Sequence, residues 1–232
     1  MFCVFKTRLF KVAVFVLVVI SLLAAFAKLR HDSIVSERKA SIRVASESAY
    51  NIIAYYYGQE SVGLPRVEAQ RRALDEISRI RYGGDDARTE YLYVYRMDGV
   101  NLHHVRKELI GTNVAAMLRD ANGNYPVKDL INALQDKKSA YVESMFPREN
   151  DWRPVVKLQY VMRFEPWDWF VGTGVWMDDV EKQRDMYYWI LVFAFSFVGL
   201  CVSVVVVWKW VVSVSQTRLD SLNVDKSGGE NA

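Results

Sequence analysis

Cysteine is almost absent from this chain. The two copies among 232 residues, Cys3 and Cys201, fall beside or within the apolar ends, so the polar middle has neither a disulfide framework nor a thiolate metal site. Histidine is nearly as scarce, with His31, His103 and His104 the whole supply. His103 and His104 are neighbours on a predicted strand, point to opposite faces and cannot together hold a metal. Few general bases remain, and no His-Glu-x-x-His, Gly-x-Ser-x-Gly, phosphate-loop or paired-cysteine motif occurs. Asp168 and the pair Asp178-Asp179 read as turn and cap residues, not as a catalytic dyad. No catalytic residue, cofactor or metal is expected. A one-sided charge is missing too: the net charge is +3 with both signs interspersed, which excludes the basic stripe of a nucleic-acid-binding surface.

Apolar sequence is abundant, and it is concentrated at the two ends. Residues 187–208 run for 22 positions without a charge; at about 1.5 Å per residue they reach ~33 Å, enough for a ~30 Å hydrocarbon core. Residues 12–27 are shorter, and counting Leu9, Phe10 and a snorkelling Lys11 brings them to 19 positions. A short membrane helix is expected there, with a signal peptide cut at Ala25-x-Ala27 as the alternative. Tyr187, Tyr188 and Trp189 at one end of the second run, and Trp208 and Trp210 at the other, have the placement of interfacial anchors. Flanking lysines and arginines nearly balance, so charge alone gives no orientation. The expected division is a cytoplasmic N-terminus (1–8), a first span (9–27), one extracytoplasmic domain (28–186), a second span (187–208) and a short cytoplasmic tail (209–232). The middle is large enough for one hydrophobic core and too small for two domains.

Within the middle, Val35, Ile42, Ala45, Ala49, Ile52 and Tyr56 recur at helical spacing and predict a long helix running on from the membrane. Its seam serves either a partner helix or the domain's own sheet. A break over residues 58–65 precedes a second helix with Val67, Leu74, Ile77 and Ile80 on one side, closed by Gly83-Gly84-Asp85-Asp86. The period then changes to two. Residues 91–96 and 100–104 predict a hairpin about Asp98-Gly99. A helix over 127–135 and strands over 140–146, 155–164 and 169–176 follow, the last two joined at Glu165-Pro166. Asp178 reads as the N-cap of the helix feeding the second span, with Glu181 completing a capping box.

Several blocks along this order resemble one family. Arg81-Tyr82-Gly83, Tyr93-Val94-Tyr95 with Asp98-Gly99-Val100, Leu102-x-His104, Leu109-x-Gly111-x-Asn113, Lys157-Leu158-Gln159-Tyr160-Val161, and Trp167-Asp168-Trp169 with Gly172-Thr173-Gly174-Val175 together resemble the single-Cache sensor domains. Those domains form the extracytoplasmic part of many bacterial chemoreceptors, histidine kinases and diguanylate cyclases. The resemblance implies an α+β fold: a long N-terminal helix packed on a PAS-like antiparallel sheet, with a small-molecule pocket on the sheet's other face and a membrane helix on each side. Val105, where the family often has proline, and the charged lead 87–90 depart from the pattern.

On the residues themselves, Tyr91, Tyr93 and Tyr95 share one face of a strand, where aromatic packing and ligand contact are both open. The later strand has an apolar face of Val156, Leu158, Tyr160, Met162 and Phe164 and a polar face of Lys157, Gln159 and Arg163. The polar face is either solvated or, if the sheet is covered on both sides, desolvated so that Lys157 seeks an anion. The resemblance implies that Tyr91, Tyr93, His104, Lys157 and Tyr160 bind the ligand, a short carboxylate, with Tyr160 needing a bulge to join Lys157. A structural, hydrogen-bonded histidine is the other reading of His104, and Gly111, Gly172 and Gly174 read as backbone devices. The expected function is a two-pass sensor of the bacterial inner membrane. The tail beyond Val214 has too few apolar residues for a core, so signalling is expected in trans, as a homodimer beside a separate membrane signalling protein. Gly199 and Ser203 offer a close-approach step in the second span. A scaffold that keeps the fold without binding a ligand is the alternative.

Overall fold

The computed structural model describes residues 2–84, 89–120, 122–148 and 151–228. Its elements, in order, are α1 (Phe2–Glu60), α2 (Arg66–Ser78), β1 (Arg81–Tyr82), β2 (Glu90–Arg96), β3 (Asn101–His103), α3 (Pro126–Ala133), β4 (Ser139–Arg148), β5 (Asp151–Phe164), β6 (Trp169–Trp176) and α4 (Asp178–Gly228), with 3-10 turns at Lys107–Leu109 and Glu165–Trp167. The chain divides into two compact units. One comprises residues 1–30 with 183–232, and the other residues 31–182.

In the first unit, α1 and α4 each carry a stretch long and apolar enough to cross a membrane. Phe15, Leu22, Phe193 and Phe197 are all exposed on them, an apolar surface of the kind that a membrane-crossing helix presents to lipid.

The second unit is built on an antiparallel sheet in the order β1-β2-β6-β5-β4, with β3 pairing to β2. Its two faces have different coverings. Against one lie α1 and α2, burying Ala49, Ile53, Ala69, Ala73 and Ile77 over Leu92, Val94, Phe164, Trp169 and Val171. Farther along the same face Ile42 meets Leu158, Tyr160 and Val175. The predicted seam of α1 is therefore spent on the domain's own sheet, and the buried Ser46 hydroxyl pins it by donating to the Tyr160 carbonyl (3.0 Å). Against the other face, α3 and the segment before it place Val114, Val127, Leu130 and Leu134 on Tyr93, Tyr95, Val161 and Phe170. The alternation read from the sequence is thus sheet-wide, odd-numbered β5 residues on one side and even-numbered on the other.

Two backbone positions aim the loops. Gly99 has φ +93°, and an added Cβ there would lie 2.4 Å from that of Ala115, so only glycine fits the hairpin turn in which Val100 N–H donates to the Asp98 carboxylate (3.1 Å). Asp168 is left-handed (φ 55°) and ends the 3-10 turn that swings the chain from β5 into β6.

Element bounds differ from expectation in places. The two-residue β1 is too short to show a period. The β4–β5 hairpin runs farther than read, because Pro147 and Pro154 face each other in register as ladder members and do not break the strands. The expected helix over 127–135 starts one residue earlier, at Pro126, where proline fits the first turn. Asp178 is already helical, one step inside its expected cap position; the Glu181 side chain and residues Asp85 to Ala87 lie outside what the structure describes.

Candidate functional site

β6 lies between β2 and β5, and on the α3 side of the sheet it presents Gly172 and Gly174. Across the ladders Gly172 is paired with Tyr93 and Val161, and Gly174 with Gln159. With no side chains at these two positions, the middle strand is the floor of a trough that the tyrosines on β2 and Lys157, Gln159 and Val161 on β5 fill from either side. Neighbours lean into it: a Cβ on Gly172 would sit 3.1 Å from Tyr93 Cε2, and one on Gly174 would sit 2.7 Å from Gln159 Cγ and 3.1 Å from Lys157 Cε.

Two polar bridges span the trough. Lys157 Nζ donates to the Tyr91 hydroxyl (3.1 Å), and the Tyr93 hydroxyl donates to Gln159 Oε1 (2.9 Å). The Gln159 amide then donates to Ser144 Oγ (3.1 Å); Ser144 stands opposite Lys157 in the β4–β5 register. Lys157 is 5% exposed, and its ammonium lies 4.5 Å and 5.0 Å from the ring centres of Tyr91 and Trp176. Among the described residues no carboxylate is within ion-pairing distance of it. Aromatic faces offset only part of the hydration a buried ammonium gives up.

His104 follows β3 and reaches the same place, 5.0 Å from the Tyr91 ring edge-on and stacked on Tyr93 at 6.4 Å. Its Nδ1 accepts the Arg106 backbone N–H (3.0 Å), which puts the proton of the neutral ring on Nε2. Burial, and then the charges of Lys157 and Arg106, push the His104 imidazole down to about 3. Burial likewise holds the Tyr93 phenol well above its ordinary value, so it stays a donor. Lysine has no acceptor, so Tyr91 accepts from it and keeps its own proton to give; Ser144 is in the same position beneath Gln159. The trough therefore has hydrogen-bond donors to spare: the Lys157 ammonium, the Tyr91 and Ser144 hydroxyls and His104 Nε2.

Of the expected residues, Tyr91, Tyr93, His104 and Lys157 come together. Tyr160 does not. The β5–β6 register is unbroken from Lys157 opposite Trp176 to Tyr160 opposite Thr173, so no bulge turns it. Its ring packs on the α1 side with Ile42 and with Tyr141 at 4.6 Å. Ser144 and Trp176 were not foreseen as site residues; only the cross-strand register brings them to Lys157. Arg81 stands at the rim, 5.8 Å from the Tyr91 ring.

The depressed imidazole has a pH consequence. Between its folded value near 3 and the unfolded 6.5, the unfolded chain takes up a proton that the folded domain refuses. His104 thus leaves stability intact above pH 6.5 and erodes it as pH falls toward 3. Urea unfolding at pH 7 and 4.5 should show wild type losing about 2–3 kcal/mol more than His104→Asn over that interval; equal losses would show that the ring protonates freely in the fold.

A long helix packed on an antiparallel sheet is the architecture of a sensor-type domain, and comparison with known proteins places it. Residues 5–194 match the dCache_2 model of the Cache domain, and the chain belongs to this family. It is 28% identical over 173 residues to the methyl-accepting chemotaxis protein McpP of Pseudomonas putida, covering 74% of this chain and 31% of McpP. It is 25% identical over 152 residues to the sensor histidine kinase MctS of Rhizobium johnstonii, covering 66% and 32%. The chain thus spans about a third of the length of these curated relatives. A solved Cache chemosensory domain, described for its recognition of carboxylic acids, superposes with a TM-score of 0.56 at 26% identity, covering 63% of this chain and 97% of that one. The central domain is a Cache sensor domain of the kind that chemoreceptors and sensor kinases carry.

Proposed function

We propose that this protein is a membrane-anchored sensor whose trough takes a small organic carboxylate, bound at Lys157 and closed over by Tyr91 and Tyr93. The observation that carries this reading is the buried Lys157 ammonium with no acid partner among the described residues, set among groups with donors to spare. A carboxylate brings the missing negative charge and up to four acceptor positions; an amine brings neither. Carboxylic acid recognition by a similar Cache domain supports the same class. A scaffold gains nothing from such a lysine, which costs stability unless a ligand neutralises it. Calorimetric titration of the full-length protein in nanodiscs with acetate, propionate and methylammonium tests the proposal. Heat with an acid and none with the amine is expected; the reverse, or silence with every acid, overturns it.

The relay proposed from this site runs through the trough floor. β6 passes into α4 across Met177 alone, so a shift of its glycines under the ligand is delivered to the second span. The proposed topology is two-pass in a bacterial inner membrane, with the domain extracytoplasmic. A periplasm-active reporter is expected to work in the β4–β5 turn and to fail at the C-terminus. Dimerisation and capture of a separate signalling protein are proposed at the Gly199–Ser203 step, where a Cβ on Gly199 meets nothing within 4 Å. Gly199→Leu is expected to reduce cross-linking in membranes, and unchanged cross-linking would rule the step out.

A further inference from the structure

The end of β6 is gripped from both faces of the sheet. On the α1 side, Met177 and Val180 are buried with Ile42, Leu158 and Val175, an apolar contact indifferent to charge. On the α3 side Trp176, the last residue of the β5–β6 ladder, stands opposite Lys157 and has the lysine ammonium 5.0 Å from its ring centre. Gly174 clears the way for the lysine stem, since a Cβ there would lie 3.1 Å from Lys157 Cε. One step past this pair Met177 N–H donates to the Val156 carbonyl (2.9 Å), and α4 begins at Asp178. The grip on the α3 side is thus a cation on an aromatic face, and its strength depends on the Lys157 charge.

We infer that Trp176 reads whether the charge of Lys157 is compensated and passes the result to the first turn of α4. The Lys157–Trp176 contact is a latch that holds the end of β6 while the ammonium has no anion, and loosens when one engages it. For its trigger the inference rests on the carboxylate reading above; the latch itself does not. A lone ammonium attracts the negative face of the ring, whereas an ammonium paired with a carboxylate acts on the ring with two charges of opposite sign. The pull on Trp176 falls accordingly. Tyr91 feels the same change, but its strand leads on to β3, so only the Trp176 side of the ammonium adjoins α4.

Backbone hydrogen exchange over residues 175–182, read by mass spectrometry on the protein in nanodiscs, tests the latch first without a ligand. Exchange there is expected to rise at least about threefold in Lys157→Met and in Trp176→Leu, the low end of what a cation–π contact supports, and by less in Trp176→Phe, whose ring binds a cation more weakly. The double variant Lys157→Met/Trp176→Leu should exchange no faster than the faster single variant, because both substitutions remove one contact. A wild-type rate in Lys157→Met overturns the inference, and so does a double variant in which the two increases multiply. A second arm, with acetate or propionate, needs no variant. Wild type is expected to exchange faster over 175–182 while the rest of the sheet slows, and Trp176→Leu to bind the acid by calorimetry with no further rise. An acid that binds wild type without speeding exchange over 175–182 overturns the latch and leaves the carboxylate reading standing. Absence of binding by both acids sinks that reading alone, and the latch then stands or falls on the ligand-free comparison.

Discussion

Replacing Lys157 by methionine is expected to abolish carboxylate binding while leaving the protein as stable as wild type or more so. Methionine keeps the unbranched apolar stem against Tyr91 and Trp176 and deletes only the charge. Taking one partner from a buried charge pair costs about 3–5 kcal/mol, so acetate or propionate affinity should fall by at least about a hundredfold. Without a ligand the effect reverses, since the ammonium is 5% exposed and no described carboxylate pairs with it. Its removal relieves a desolvation cost. Calorimetry and thermal unfolding on the same preparation check both halves. Wild-type affinity in the variant would remove Lys157 from the site, and a large fall in melting temperature would make it a structural residue. A gain in stability bought by a loss of activity is the usual signature of a binding group held in place against its own preference.

The second large effect is expected at the trough floor. A Cβ on Gly172 would lie 2.6 Å from Val161 Cγ1 and 2.7 Å from the Tyr160 carbonyl oxygen. The first is a buried side chain and the second is backbone in a paired ladder, so neither yields cheaply. Gly172→Ala should therefore cost about 3 kcal/mol, the upper part of the range for overpacking, and should weaken ligand binding by displacing Tyr93. Gly58→Ala is the control, since nothing lies within 4 Å of its added Cβ and alanine favours helix over glycine by about 1 kcal/mol. Urea unfolding should separate the two in sign. A Gly172→Ala protein within 0.5 kcal/mol of wild type, on the order of an ordinary surface change, would mean that the sheet can open at this point.

Much of this was legible in the sequence where a single strand carries its own period. The β6 bounds agree with expectation at both ends, because an apolar run between Trp169 and Trp176 follows a turn signal directly. The tyrosine row and the polar face of β5 came from alternation alone. Tyr160 shows how a motif can mislead: it stands three residues from Lys157 within a family block, yet odd and even positions on a regular strand never share a face. The alternation had already placed it with Leu158 and Met162. Ser144 was invisible for a different reason, since its role depends on which β4 residue lands opposite Lys157, and that register is set by the β4–β5 turn, which carries no turn signal as plain as Asp98-Gly99. β1 contributes two residues to the edge of the sheet, and its pairing to β2 is decided by tertiary contact. The fate of the α1 seam was likewise open, because helical spacing is the same whether the partner is another helix or a sheet.

The strand order has a consequence for how the protein comes into being. Tyr93 and Gly172, about eighty residues apart in the chain, are direct neighbours across β2 and β6, and β6 is the last strand made before the second apolar helix. The β4–β5 hairpin can pair locally, but the trough has no floor until β6 inserts between two strands made before it. Contacts so distant in sequence form slowly. Binding competence should therefore arrive in one late step, with no earlier intermediate able to hold the ligand. A ligand present during synthesis would act only after that step, by drawing the finished sheet out of its equilibrium with partly paired forms.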